Sequence, residues 1–468
     1  MTRNYKEEYQ RWLDSPALSE SEWEELNSIA NDEKEIESRF FAPLEFGTAG
    51  LRGTMKLGLH QMNVHIIRHA TQAFANVIKA EGEEAMKKGI AICFDCRNNS
   101  ELFAHEAACV MAANGIHVRI FDALRPTPEL SFAVRYYGTT AGLNITASHN
   151  PKEYNGYKVY WSDGAQLPPQ HAEAIAEQMS KIDIFDDFVS CDFDEAVSQG
   201  KIELIGTETD EAYLECVLGQ AINKPLVAKV APELKIVYTP FHGAGYKLVP
   251  EALRRLGITQ LYPVPEQMVI DGNFPTVESP NPENPEGFYL AVDLAKKVGS
   301  DLIIGTDPDS DRIGVMVRSG GDYISITGNQ LGCLLLDYII NARRATGTMP
   351  ENPGAMASIV STSMARTICE KNGVHFEDTF TGFKFMAELV NHWDAAGTYH
   401  YIFAFEESYG YMIGNYVRDK DAVTASMMVA EMAAHYHKLG MTLLDALKAL
   451  YEKYGYYKEK TPVSYTHL

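Results

Sequence analysis

From about residue 40, strand-like runs alternate with amphipathic helical patterns, each joined by a glycine or proline turn, and this alternation points the chain to α/β architectures. A first block holds strand-like Ile90 to Phe94, a helical pattern over about 101–114, a strand at Val118 to Phe121 and the apolar run Ala141 to Thr146. A second begins at Lys235-Ile-Val-Tyr-Thr, turns through Pro240-Phe-His-Gly-Ala-Gly245 into a helix reaching about Leu256, and closes with a strand at Leu302 to Gly305. A third, over about 325–450, places a helix near 328–342 and strands at Met356 to Ser361 and Tyr401 to Phe405. Three blocks of comparable size predict serial α/β domains of repeated topology, divided in the polar stretch 183–210 and at Ser319-Gly-Gly-Asp322. Ahead of them, residues 4–31 read as helical, with Ser19 and Glu22 spaced as a capping box before a Trp23, Leu26, Ile29 stripe. The expected division is 1–40 helical extension, 41–205 first domain, 206–320 second and 321–455 third.

With 468 residues, 46% hydrophobic and 22% charged, the chain is long enough for about three cores at roughly 150 residues each. Its net charge of −22 opposes nonspecific attraction to nucleic acid or anionic membrane, so neither is expected as a partner. An acidic ligand would need a local cluster of cations. Seven scattered cysteines point to reduced thiols, and the polar N-terminus lacks a secretory apolar run, so the cytoplasm is the expected location. Cys93-Phe-Asp-Cys96 has redox spacing but follows a strand, without the helix N-terminus that would stabilise its thiolate.

Four motifs carry chemistry. Thr146-Ala-Ser-His-Asn-Pro151 places Ser148 and His149 on a turn after an apolar strand, where a reactive hydroxyl can be presented; a plain turn or cap serine reads the same way. The absence of a Gly-x-Ser-x-Gly elbow argues against a hydrolase triad. Gly305-Thr-Asp-Pro-Asp-Ser-Asp-Arg312 puts Asp307, Asp309 and Asp311 at alternate positions, able to converge on one hard cation. An EF-hand would need glycine and glutamate where Arg312 and Arg318 stand, so a calcium-sensor loop fails. Phe405-Glu-Glu-Ser-Tyr-Gly410 offers Glu406 and Ser408, two apart and on one side if the segment is extended. Glu45-Phe-Gly-Thr-Ala-Gly-Leu-Arg-Gly53 is a glycine-rich loop ending in Arg52, suited to a phosphate.

In this order and at these separations, the four motifs resemble the α-D-phosphohexomutase family of phosphoglucomutases and phosphomannomutases. The similarity is greatest to the phosphoglucomutase and phosphopentomutase-like branch, for which Pro280-Asn-Pro-Glu-Asn-Pro-Glu286 also looks typical. The resemblance implies three α/β domains around a central cleft and a mutase that interconverts glucose 1-phosphate and glucose 6-phosphate through a phosphoserine and a bisphosphate. It makes Ser148 the phosphoryl carrier, and Ser148, Asp307, Asp309 and Asp311 the ligands of Mg²⁺. It places Arg52, His149 and Lys158 at the reaction centre, with Lys158 assisting proton transfer, and gives substrate binding to Glu406, Ser408 and Arg312. Sugar phosphates are the implied partners, and glucose 1,6-bisphosphate the implied activator.

Two departures qualify this expectation. Some phosphomannomutase-type members carry a histidine after the sugar-reading serine, whereas Tyr409-Gly-Tyr411 stands here, which lowers the expectation of a mannose preference. The family's fourth, α+β domain, whose loop holds the distal phosphate, has no counterpart after residue 450, so it is expected to be missing from this chain. Pro462-Val-Ser-Tyr-Thr-His-Leu468 is translatable from the transposase end sequence of tagmentation libraries, and 462–468 is therefore expected to be a non-native tail. A phosphopentomutase, a phosphomannomutase, or a noncatalytic sugar-phosphate-binding fragment are the competing expectations.

Overall fold

A computed structural model describes residues 4–47 and 50–459; the 462–468 tail and residues 48 and 49 of the glycine-rich loop lie outside the described residues. Three sheets follow one another along the chain. The first holds β1 (Leu51–Thr54), β2 (Ile90–Phe94), β3 (Val118–Phe121), β4 (Ala141–Ile145), β5 (Tyr154–Trp161) and β6 (Ile202–Ile205), in the order β1-β5-β4-β2-β3-β6. The second holds β7 (Lys235–Thr239), β8 (Gln260–Pro263), β9 (Leu302–Thr306), β10 (Ile313–Ser319) and β11 (Asp322–Ile326), in the order β11-β10-β9-β7-β8. The third holds β12 (Pro353–Ser358), β13 (His375–Thr379), β14 (His400–Glu406) and β15 (Gly410–Met412), in the order β13-β12-β14-β15.

One pattern recurs in all three. Parallel strands occupy the sheet interior, and one of them ends in a loop that returns as an antiparallel neighbour: β4 into β5, β9 into β10, β14 into β15. Parallel strands are covered on both faces, which is why β2, β4 and β9 are buried at every position and apolar at all but Asn144 and Thr306. Alternation then sorts the side chains. Ile90, Ile92 and Phe94 join the core under helices Val64–Ala80 and Ser100–Ala113, whereas Ala91 and Cys93 join Leu130, Ala133 and Val134 of helix Thr127–Tyr137.

The second and third sheets share one core. Ile236, Tyr238 and Ile304 pack in the same cluster as Ala355, Phe403 and Phe405, together with ten buried residues of helix Ala422–Lys438. The sheets are thereby held so that their loop-bearing ends converge.

The amino-terminal region differs from its sequence reading. It forms three helices, Tyr5–Leu13, Glu20–Ser28 and Glu33–Phe40, because Pro16 denies a helix its amide and disfavours helical backbone at Ser15. The Ser19/Glu22 capping box forms. Of the stripe, Leu26 is buried but Trp23 is 45% exposed, and Trp12 is the indole that fills the core. The third-block strand begins and ends earlier than its residues suggest: Ile359 and Val360, although β-branched, lie past β12 and are exposed.

Candidate active site

Each recurring return loop carries one motif. Ser148 lies between β4 and β5, Asp307, Asp309 and Asp311 between β9 and β10, and Glu406 at the end of β14. Loops at the carboxyl ends of parallel strands are where α/β sheets bind ligands. Here three such loops meet.

The first contact is direct. Ser148 Oγ donates to Asp307 Oδ2 at 2.9 Å and lies 3.1 Å from His149 Nδ1. Ser148 is 4% exposed and Asp307, Asp309 and Asp311 at most 1%, so the contact is dry. The backbone amides of Asp311 and Arg312 donate to Asp307 Oδ1, closing the loop on its own carboxylate. Burial, reinforced by the nearby Arg312 guanidinium, pushes the His149 imidazole down to about 3, leaving it neutral beside the serine hydroxyl.

Three buried carboxylates so close repel unless cations compensate, and two ammonium groups supply part of that charge. Lys158, on β5 opposite Asn144 of β4, donates to Asp309 Oδ2 at 2.9 Å and stands 3.8 Å from Asp311 Oδ2. Lys420 stands 2.8 Å from Asp311 Oδ2 and 3.3 Å from Asp419 Oδ1. Burial opposes ionisation of Asp309, but Lys158 outweighs it and holds that carboxyl well below the usual range. Asp307 and Asp311 are pushed up, by burial first and by Asp309 next. Burial alone would lower Lys420, but Asp311 and Asp419 reverse the shift and keep it an ammonium.

The compensation is incomplete in a specific way. Asp309 Oδ1 and Asp311 Oδ1 are buried yet accept no hydrogen bond. The three carboxylates also present oxygens within 4.8 Å of one another. Buried acceptors without donors are costly, and an all-oxygen set with free lone pairs fits a hard divalent cation.

Around this centre the other expected residues are placed unevenly. Arg312 donates from Nη1 to Glu283 Oε1 at 3.0 Å, which brings the 280–286 segment to the site. Arg52, exposed on β1, donates to Asn150 Oδ1 at 2.9 Å, two residues beyond Ser148. Glu406 is 6% exposed and accepts from the Gly382 amide at 2.6 Å. Burial raises the Glu406 carboxyl, the amide offsetting part of the rise. Gly382 presents that amide from φ +116°, a conformation that favours glycine.

Glu406 and Ser408 do not lie on one extended segment. β14 ends at Glu406, residues 407–409 form a tight turn with Tyr409 at φ +66°, and β15 starts at Gly410. Ser408 is half-buried and, with Glu407 and Glu283, lines a cavity of about 450 Å³, whereas Glu406 faces Gly382. The turn is nevertheless stitched to the aspartate loop: Ile313 N donates to Tyr409 O at 3.1 Å, and Arg312 bridges to Gly410.

Family models for phosphoglucomutase/phosphomannomutase α/β/α domains I, II and III match residues 43–185, 211–320 and 327–454 in order. The chain belongs to the phosphoglucomutase/phosphomannomutase family. Among its relatives, a phosphoglucomutase of Staphylococcus saprophyticus is 36% identical over 92% of this chain and 76% of its own length. One of Staphylococcus aureus is 36% identical over 91% of this chain and 75% of its own. Among solved structures, a phosphomannomutase-type protein of Thermus thermophilus shares the fold at a TM-score of 0.71 with 23% identity, covering 88% of this chain and 84% of its own. A Paramecium phosphoglucomutase, pp63/parafusin, does so at 0.68 with 19% identity, covering 89% and 75%.

Several residues at this family site escape sequence reasoning. Thr127 opens helix Thr127–Tyr137 and binds Asp309 twice at 2.8 Å, amide to carbonyl and hydroxyl to Oδ2. Lys420 and Asp419 come from just before helix Ala422–Lys438. Asp95 and Arg97 lie within and just past the Cys93/Cys96 segment. All seven cysteines are unpaired, and burial pushes the Cys93 thiol well up, so that segment's interest is not redox. No helix among the described residues is long and apolar enough to cross a membrane.

Proposed function

We propose that this chain is a sugar phosphate mutase that interconverts glucose 1-phosphate and glucose 6-phosphate by relaying a phosphoryl group through Ser148. The observation that carries this is the contact of Ser148 Oγ with Asp307 at 2.9 Å, inside a buried carboxylate cluster that retains unpartnered oxygens. Residues 41–205 then present the phosphoryl carrier, 206–320 the cation site and 321–455 the sugar-reading turn. Seven unpaired thiols support a cytoplasmic setting.

Ser148, Asp307, Asp309 and Asp311 would hold Mg²⁺, which when bound offsets negative charge on the transferring group. Phosphoserine 148 donates to the free hydroxyl of a sugar monophosphate: the P–Oγ bond breaks, a bond from phosphorus to the sugar oxygen forms, and a bisphosphate results. Net, the sugar hydroxyl loses a proton and Ser148 Oγ gains one. Lys158, beside Asp309, and neutral His149, 3.1 Å from Oγ, are the groups placed to carry it. The bisphosphate turns over and returns its other phosphoryl group to Ser148. By the same chemistry, glucose 1,6-bisphosphate recharges the serine and activates the enzyme. Glu406 and Ser408 read sugar hydroxyls, while Arg312 and Arg52 supply cationic contacts to phosphate. The protein's task is alignment and exclusion of water.

Turnover of glucose, mannose and ribose 1-phosphates tests the sugar assignment. Glucose 1-phosphate should show the highest kcat/KM, by about 10-fold or more. A preference for mannose or ribose would overturn it.

A further inference from the structure

Ser148 holds φ +52°, a left-handed backbone that a residue bearing a Cβ adopts only when its surroundings enforce it. The enforcement comes from one buried side chain. Arg97 donates from Nη2 to the carbonyls of Ser148 at 2.6 Å and Asn150 at 2.5 Å, and from Nη1 to those of Pro151 at 2.9 Å and Tyr154 at 3.0 Å. Every side-chain hydrogen bond it makes among the described residues thus ends on the backbone of the loop between β4 and β5 or of Tyr154, the first residue of β5. Its Nε lies 3.4 Å from Asp95 Oδ2, and Phe274, from the second-domain region, stacks 5.3 Å from its guanidinium carbon.

Asp95 completes the device from the other side. It accepts from the Arg97 amide at 2.9 Å, from Ser100 Oγ at 2.8 Å, and from Thr146 Oγ1 at 2.6 Å. Thr146 Oγ1 in turn accepts from the Ser148 amide at 2.9 Å. Both backbone polar groups of Ser148 are therefore fixed by one ion pair, its amide through Thr146 and its carbonyl through Arg97. The same guanidinium fixes Asn150, whose side chain anchors Arg52. A planar fork of donors suits several carbonyls at once, which a lysine ammonium does not match.

We propose that Asp95 and Arg97 are positioning residues that fix the backbone of Ser148, and with it the Arg52 anchor, in the geometry phosphoryl transfer requires. The proposal rests on the mutase reading for its kinetic arm only. Positioning errors of about 1 Å cost on the order of 100-fold in rate, and they act on the transferring atom more than on sugar binding.

The test compares the parent chain with Arg97→Ala and Arg97→Lys. Arg97→Ala should lower kcat about 100-fold while KM stays within about 3-fold. Added guanidinium ion should restore at least about 10-fold of that loss in Arg97→Ala and nothing in Asp309→Asn. Hydrogen exchange at the amides of residues 148–154 should quicken in Arg97→Ala without a matching change in the third sheet. Should Arg97→Ala fail to fold, Arg97→Lys carries the test, with a kcat loss of at least about 10-fold expected. A kcat within about 3-fold of the parent, a loss confined to KM, or unchanged exchange in the loop would overturn the proposal. A parent whose Ser148 never carries phosphate would instead sink the mutase reading, and hydrogen exchange would still read the clamp.

Discussion

The β9–β10 loop and the β14–β15 turn occupy the same place in two repeats of one topology, yet they are finished in opposite ways. In the first, Asp307, Asp309, Ser310 and Asp311 are at most 1% exposed, and donors from the first and third sheet regions, Ser148, Thr127 and Lys158 from one and Lys420 from the other, converge on the carboxylates. In the second, Ser408 is half-buried beside a cavity of about 450 Å³, and Glu407 satisfies its carboxylate on Ser358 and Ser361. A site that handles developing charge must be dry and built in advance, because preorganised dipoles are worth most where water is excluded. A site that reads neutral hydroxyls must open to admit them. The repeated scaffold thus supplies one presentation, and local packing decides its use.

That contrast can be broken at its buried end. Asp309→Asn removes the charge that balances Lys158 and one of the acceptors left without a donor. We expect kcat to fall by about 1,000-fold, with a higher metal concentration needed for half-maximal rate in a titration after chelation. Chelation of the unaltered enzyme should stop turnover, and added Mg²⁺ should restore it. Lys420→Met leaves Asp311 and Asp419 buried with less compensation, a change that costs about 3–5 kcal/mol when a buried pair loses one partner. Thermal denaturation should show a clearly lowered midpoint together with reduced activity. At the open end the effect should be smaller and of another kind: Ser408→Ala should lower kcat/KM about 10-fold, mostly through KM, as loss of one hydroxyl contact implies.

The smallest effect concerns a support of the buried loop. Glu129 lies two residues after Thr127, is fully buried, and sits beside Asp210 and Arg125, with the Lys247 ammonium beyond on Asp210. Burial first, and Asp210 next, push its carboxyl well above the usual range. A carboxyl raised in the folded state favours folding fully below its unfolded pKa, and this contribution is lost as pH climbs through the folded value. Glu129→Gln mimics the protonated form. The unfolding midpoint of the parent should therefore fall by about 2–4 °C more than that of Glu129→Gln as pH rises upward from the ordinary carboxylate range. Equal pH dependence would remove the support assigned to Glu129.

The two regions were also unequally legible in the sequence. Three aspartates at alternate positions after a strand announce convergence on a cation by themselves, and Ser148 gains its meaning beside them. The donors that hold them do not announce themselves. Thr127 and Lys420 sit 182 and 109 residues from Asp309 and Asp311 in the chain, and only the shared packing of helices and sheets brings them in. Arg97 was hidden behind the more conspicuous spacing of Cys93 and Cys96, because a clamp on backbone carbonyls has no sequence periodicity. The spacing of Glu406 and Ser408 suggests one extended segment, but a return turn is needed to start β15. The three strand–helix blocks are legible because parallel strands buried on both faces leave long apolar runs; the Pro16 break and the end of β12 before Ile359 show where local pattern yields to chain reversal.

The central claim is that Ser148 carries the phosphoryl group, and intact-mass analysis with peptide mapping tests it most directly. After incubation with glucose 1,6-bisphosphate, the chain should gain the mass of one phosphoryl group on the peptide containing Ser148. Glucose 1-phosphate should then remove that group, and Ser148→Ala should never gain it. A chain that turns over sugar phosphate while Ser148 stays unmodified, or a Ser148→Ala variant that keeps its activity, would contradict the account.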